Sequence, residues 1–330
     1  MYMHVLYFCS DTFVQVAAVS IISLLENNKD IDNITIWIID DGISEGKKNQ
    51  LFAMIKPYGR FLKFIPAPDP SDFFHFRFQS RYQMGHSYMR MCVGSLLPND
   101  VEKLLILDSD TLVCGNLKEL WNIDLCDHIL AGVADCVNVK AFKHRFLLDD
   151  DDIYCNAGMF LVNMKAWRAN SIEQKICKTI QENKGNIFFF EQTLMNFACK
   201  GRILKIDAKY NSYTLFYAFK YKNLIRWRRP TNFYTEKEVT EAGNNPIIIH
   251  FTRNFYMTSR PWVVSCEHPL TSEYRKYMAL CPWNDIEVDT RSNWQKFKYS
   301  LFHFVPQSLL VMIANVMYNT IRPLMHWKNE

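Results

Sequence analysis

The first turn between a strand-like and a helix-like run contains no G-x-G-x-x-G, so the usual dinucleotide cradle is missing. Ten cysteines are present, but no C-x-x-C pair and no zinc spacing occurs among them. Most, such as Cys92, Cys155 and Cys177, sit among apolar neighbours and read as small buried hydrophobes, which suits a reducing compartment. No uninterrupted apolar run reaches about 18 residues, so no evident membrane span is present. The start of the chain has no basic region followed by a cleavage site, so no signal peptide is expected. A net charge of +4 is too small to argue for nucleic acid, and none is expected as a partner.

What is present is a hydrophobic chain, 49% apolar and 15% aromatic, which excludes long disorder. At 330 residues it can hold one large α/β domain with an appendage, or two domains. Strand-like runs at Val5–Cys9, Ile34–Ile39 and Phe61–Ile65 alternate with helical stretches at Val14–Glu26 and from a Ser44 cap to about Lys56. This β-α-β-α-β order predicts right-handed parallel crossovers and a Rossmann-like half. Further helices are expected over 84–97, Ile172–Gln181 and Glu191–Cys199. Further strands are expected at His128–Ala134, Phe160–Val162 and Ile247–Ile249. The acidic run 149–152 reads as a solvated loop.

The organising stretch is Lys103 to Val113. Leu104 to Leu107 reads as a strand buried on both faces, and it ends in Asp108-Ser109-Asp110. On extended chain the two carboxylates point the same way, roughly 6.5–7 Å apart at Cα, with room for one hard cation between them. Ligands of open α/β sheets sit beyond the carboxyl ends of the strands, which is where this pair falls. A divalent ion held there would anchor a diphosphate in place of the missing glycine loop.

Asp108-Ser109-Asp110, Asn156 to Asn163 (Asn-Ala-Gly-Met-Phe-Leu-Val-Asn), Glu191 to Asn196 (Glu-Gln-Thr-Leu-Met-Asn), His250 and Arg260-Pro261-Trp262 follow one another in that order. The ordered set resembles glycosyltransferase family 8, with the likeness running from about residue 4 to 265. The resemblance implies a GT-A fold, a mixed and mostly parallel sheet flanked by helices. It implies a UDP-sugar donor, Mn²⁺ or Mg²⁺, retention of anomeric configuration, and transfer of galactose or glucose to a glycan or lipid-linked acceptor. It places Asp108, Asp110 and His250 as metal ligands, a donor set that suits Mn²⁺. Phe8, Ser10, Asp11 and Thr12 fall where the family grips uracil and ribose. Arg90 matches an arginine that steadies the acidic pair. Arg260 replaces a lysine that neutralises the diphosphate, and the segment before it lacks the glycine found in relatives near Arg253. Ser109, Asp135, Asn156, Ala157 and Gln192 fall in the donor-sugar pocket, where Asn156, Ala157 and Gly158 let backbone approach the sugar closely. Gln192 aligns with the residue nearest the anomeric carbon. An amide is a poor nucleophile, so a front-face return with Gln192 stabilising positive charge is favoured, and Glu191 is the alternative.

Residues 1–265 are accordingly expected to form the catalytic domain and 266–330 a helical appendage. From Arg291 the appendage mixes aromatic and basic residues. An apolar stripe of Leu309, Met312, Ile313, Val316, Met317 and Ile321 follows at helical spacing, with Gln307, Asn315 and Asn319 off it. Such a helix fits a membrane interface or a packed core equally, so a cytoplasmic enzyme, peripheral on the inner face of the plasma membrane, is one expectation. The stretch from Ile106 to Val113 also resembles the nucleophile loop of haloacid-dehalogenase phosphatases, with Asp108 as nucleophile. That loop usually lies on the first strand, however, and the rival leaves His250 and Arg260-Pro261-Trp262 unexplained.

Overall fold

The structure, a computed structural model, describes residues 2–78, 85–140, 148–149 and 152–322. Residue 84, two of the run 149–152 and the basic and aromatic residues 326–328 lie outside them. The main sheet has seven strands: β1 (Tyr2–Ser10), β2 (Asn33–Asp41), β3 (Phe61–Pro66), β4 (Lys103–Leu107), β6 (Leu130–Ala134), β7 (Cys155–Asn163) and β8 (Ile203–Lys205). Their order is β3-β2-β1-β4-β7-β6-β8. The β1–β2, β2–β3, β1–β4 and β6–β8 pairs are parallel, while β7 runs antiparallel to β4 and β6. The expected mixed, mostly parallel α/β sheet is therefore present.

Both faces of this sheet are covered, which is why its strands read as continuous apolar runs. Val5, Tyr7, Leu105 and Leu107 enter one core with the helix Val14–Asn27. The alternate residues Leu6, Leu104 and Ile106 enter a second core on the opposite face. Ser44 precedes the helix Glu45–Ile55 as expected, but its side chain caps nothing. The expected helix over 84–97 is instead a 3₁₀ turn, Gly85–Met91, followed by the short helix Val93–Leu96.

Three short strands escape the sequence reading: β5 (Thr111–Val113), β8 and β9 (Ser212–Tyr213). With β10 (Ile248–His250), β5 and β9 form a small second sheet in the order β5-β10-β9. The buried hydroxyls of the helix Val14–Asn27 fix β5 in place. Ser20 hydrogen-bonds Thr111 Oγ1 at 2.9 Å, and Val113 N–H donates to Ser23 Oγ at 2.9 Å. The antiparallel register then sets His250 opposite Thr111, one residue beyond Asp110. This second sheet delivers the imidazole to the acidic pair.

The appendage packs on the rest of the chain through residues that lie off its apolar stripe: Leu310, Val311 and Tyr318 are buried, and the polar side chains beside them are satisfied. Gln307 Nε2 donates to Ala218 O at 2.8 Å, Asn315 Nδ2 to Arg226 O at 2.6 Å and Asn319 Nδ2 to Trp227 O at 2.8 Å. Most of the stripe faces outward: Leu309, Met312, Ile313, Val316 and Met317 are exposed, as are Trp294, Phe297 and Phe304 on the preceding helix Asn293–Phe304. Among the described residues no single helix is long and apolar enough to cross a membrane. The two helices Asn293–Phe304 and Gln307–Ile321 pass that test only as a pair, bent by 114°.

Candidate active site

Asp108 and Asp110 do not lie on extended chain. Thr111 N–H and Thr111 Oγ1 both donate to Asp108 O, at 3.1 and 2.7 Å, closing a tight turn between β4 and β5. Asp108 N–H donates to Gly158 O at 2.9 Å, which ties the turn to β7. The turn, not the alternation of a strand, brings the two carboxylates to one side.

Each carboxylate is held by an arginine on one oxygen and faces His250 with the other. Arg90 Nη1 pairs with Asp108 Oδ1, and Arg90 Nη2 reaches Glu191 Oε1 at 2.8 Å. Arg260 Nη1 lies 2.5 Å from Asp110 Oδ2. His250 Nε2 sits 3.5 Å from Asp108 Oδ2 and 3.2 Å from Asp110 Oδ1. Burial would raise the Asp110 pKa, but the His250 and Arg260 charges and hydrogen bonds outweigh it and hold this carboxyl well below the usual range.

The tautomer of His250 follows from its neighbour. Gly158 N–H donates to Asn156 Oδ1 at 3.0 Å, and a backbone N–H can only donate, so that atom is the carbonyl oxygen. Asn211 Nδ2 donates to the same oxygen at 2.9 Å. His250 Nδ1, 3.0 Å away, must then carry a proton and donate too. With Nδ1 occupied in this way, Nε2 is the ring nitrogen that faces the two carboxylate oxygens, and in the neutral ring its lone pair would complete a cation site between them. Ligand atoms of Asp108, Asp110 and His250 all lie within 4.8 Å of one another, forming the one such group among the described residues. This donor set, two carboxylates and one oriented imidazole, fits a divalent ion of the Mn²⁺ or Mg²⁺ kind.

Beside the cluster lies a cavity of about 330 Å³ bordered by Asp135, Asn156, Glu191 and Gln192. Gln192 is locked in one orientation. Its Oε1 accepts from Ala157 N–H at 3.0 Å, and its Nε2 donates to Asp135 Oδ2 at 2.8 Å. Asn156 Nδ2 donates to that same carboxylate oxygen at 3.2 Å. The resemblance assigned these residues to the sugar pocket, and they do share one wall. Glu191, the alternative nucleophile, is committed to its ion pair with Arg90.

The β1 end is arranged differently. Asp11 accepts from Ser44 N–H at 2.9 Å and pairs with Lys47 at 2.9 Å, interactions that pull its pKa down to about 2. Its carboxylate thus holds the N-cap residue Ser44 by its own N–H, while the first-turn N–H groups expected to bond the Ser44 hydroxyl have no side-chain cap. Ser10 and Thr12 hydrogen-bond each other at 3.3 Å, and Phe8 offers its carbonyl to Ser109 Oγ at 3.1 Å. Of these residues Phe8 touches the acidic turn, through that Ser109 contact.

Gly158 was read as a place of close approach to sugar, but its neighbour is His250. A Cβ there would lie 2.1 Å from His250 Nδ1. Asn211, Arg228, Arg253, Tyr318 and Arg322 also border the site or its hydrogen bonds, and no motif flagged them as such.

The profile of glycosyl transferase family 8 matches residues 4–264 of this chain. The chain belongs to glycosyl transferase family 8. As a family 8 glycosyltransferase it is 25% identical over 333 residues to the lipopolysaccharide 1,2-glucosyltransferase of Escherichia coli K12, covering 96% of this chain and 90% of that one. It is 22% identical over 287 residues to general stress protein A of Bacillus subtilis 168, covering 86% and 96% of the two chains. Its fold matches that of the galactosyltransferase LgtC, solved with donor and acceptor sugar analogues. The TM-score is 0.68 at 23% identity, with 90% of this chain and all of that one covered. The family 8 assignment and the GT-A fold stand, and nothing supports the phosphatase reading.

Proposed function

We propose that this glycosyltransferase moves a hexose, galactose or glucose, from a UDP-sugar to a glycan or lipid-linked acceptor with retention of configuration. The observation that carries the reading is the convergence of Asp108, Asp110 and His250 on one point, with the His250 tautomer fixed by Asn156. These three would hold Mn²⁺ or Mg²⁺, which when bound supplies Lewis-acid stabilisation of the charge on the departing UDP. Arg260, one guanidinium nitrogen on Asp110, offers the rest of its fork to diphosphate oxygens. Asp135 and Asn156 would accept and donate to sugar hydroxyls. Gln192, held by Ala157 and Asp135, presents its carbonyl dipole to positive charge developing at the anomeric carbon. An amide held this way does not form a bond to carbon. The acceptor hydroxyl therefore enters on the face the diphosphate leaves, and its proton passes to a departing phosphate oxygen.

The test is release of UDP from UDP-glucose and UDP-galactose in Mn²⁺, with and without a chelator. We expect release from at least one donor, abolished by chelation. No release from either donor in Mn²⁺, or release indifferent to the chelator, refutes the reading.

We propose further that residues 1–265 carry the donor and metal residues, with Tyr318 and Arg322 of the appendage closing one side of the cavity, and that the appendage makes a peripheral membrane contact, on the inner face of the plasma membrane. Support comes from its outward apolar face: beyond the buried Leu310, Val311 and Tyr318, large apolar side chains stay uncovered, with Phe304 at 89% exposure and Trp294 at 70%. Vesicle co-sedimentation with anionic lipid checks this, and the double substitution W294S/F304S should lower the bound fraction severalfold. Both side chains are exposed, so unchanged vesicle binding removes the membrane role rather than the fold.

A further inference from the structure

A second cavity of about 670 Å³, almost wholly apolar, lies beside the candidate sugar pocket. Trp227, Leu310 and Tyr318 are buried residues along it, while Ile313 and Met317, half exposed, lead from it to the outward apolar face. Tyr318 and Arg322 border both cavities.

The junction between the two is cationic. The guanidinium of Arg228 lies 4.1 Å from the ring centroid of Tyr318, and that of Arg322 lies 5.8 Å from the same centroid. Arg322 also covers Phe189 at 4.7 Å. Neither arginine makes an ion pair with a carboxylate among the described residues, and Arg228 Nε is buried with no hydrogen-bond partner. Arg322 is exposed at one edge, where partial loss of solvation and the nearby Arg228 charge both lower its pKa. Two like charges around one ring, neither in an ion pair among the described residues and only Arg228 within the field of Asp135, form a site for an anion.

We propose that the acceptor is an amphiphile in which phosphate joins the saccharide to an apolar chain. Its terminal sugar would meet the donor sugar at the mouth of the Asp135 pocket, its phosphate would rest on Arg228 and Arg322, and its chain would lie in the groove along Trp227 and Ile313. This rests on the glycosyltransferase reading and adds the acceptor class to it. The order of the cavities carries it: a polar wall, then paired cations, then an apolar trough opening toward the exposed stripe. A soluble glycan leaves the trough without a purpose, and a neutral glycolipid leaves the cations without one.

The test uses the full chain and fluorescently tagged farnesyl phosphate as probe, with farnesol and inorganic phosphate as competitors. Farnesyl phosphate should bind at least about tenfold tighter than farnesol, the discrimination one charge-assisted contact supplies. Inorganic phosphate should compete only weakly. R322Q should erase that preference, and I313E should weaken farnesyl phosphate and farnesol alike; M317E is the second groove variant, and melting curves confirm the fold of all three. Equal affinity for farnesol and farnesyl phosphate, probe binding unchanged in R322Q, or binding only to bulk vesicles in both groove variants overturns the proposal. UDP release by the wild-type enzyme from UDP-glucose or UDP-galactose, measured in parallel, tests the underlying reading separately.

Discussion

G158A is expected to abolish metal-dependent UDP release while leaving a folded protein. The added methyl would lie 2.1 Å from His250 Nδ1, 2.5 Å from Cε1 and 2.8 Å from Cγ, so the whole ring must move. Any such move breaks the Nδ1 bond to Asn156 and swings Nε2 off the carboxylates. Overpacking of this kind costs about 1–3 kcal/mol in a core, within what a large α/β domain tolerates. The appropriate control is G132A, whose methyl would meet Cys155 and Phe160 at 3.0–3.1 Å and not the imidazole. It should cost less stability, since its neighbours need give only by tenths of an ångström, and keep activity within a few-fold of wild type. If G158A keeps wild-type release, or if both variants lose activity in step with their melting temperatures, His250 is not held as a ligand.

How far the sequence disclosed this site depended on whether the signal was local. The strand before Asp108 was legible because both of its faces are buried and its residues are aliphatic without a break. The β-α-β-α-β half was legible for the same reason, and β1, β2 and β3 pair in parallel as that order implies. The turn at Asp108–Asp110 was misjudged as extended chain because its determinants, Thr111 Oγ1 and Gly158 O, are a side-chain hydroxyl and a distant carbonyl. The caps show the same limit. Ser44 has the right residue type in the right place, yet its hydroxyl caps nothing, and the contact made there is with Asp11, 33 residues earlier, which accepts the Ser44 N–H. In the appendage, periodicity identified an apolar stripe correctly but not the direction it faces. Helical spacing records that two faces differ, and Asn315 and Asn319, satisfying the carbonyls of Arg226 and Trp227, decide which one turns inward. Asn211 carried no signal at all, since it acts through Asn156, a partner remote in the chain.

D110N should reduce UDP release by more than about 100-fold, exceeding the ~10–100-fold typical of residues that only support a ligand. Asparagine keeps the shape and one oxygen but cannot neutralise a divalent ion, so raised Mn²⁺ should restore part of the activity. The fold should persist, because the turn is closed by Thr111 and Asp108 and not by the Asp110 carboxylate. Stability should fall, since Arg260 Nη1 loses a charged partner in a half-buried site. That loss has a pH signature in chelated protein. The Asp110 carboxyl has its folded pKa depressed, so its contribution is fully present above the unfolded value of about 3.9 and drains away as pH falls below it. The gap in melting temperature between wild type and D110N should therefore be constant near neutrality and narrow in acid. A gap that widens in acid would mean the carboxyl is raised in the folded state, and near-wild-type UDP release by D110N would remove Asp110 from the metal site. Loss of activity together with a gap that closes in acid assigns Asp110 both tasks, holding Arg260 with one oxygen and a divalent ion with the other.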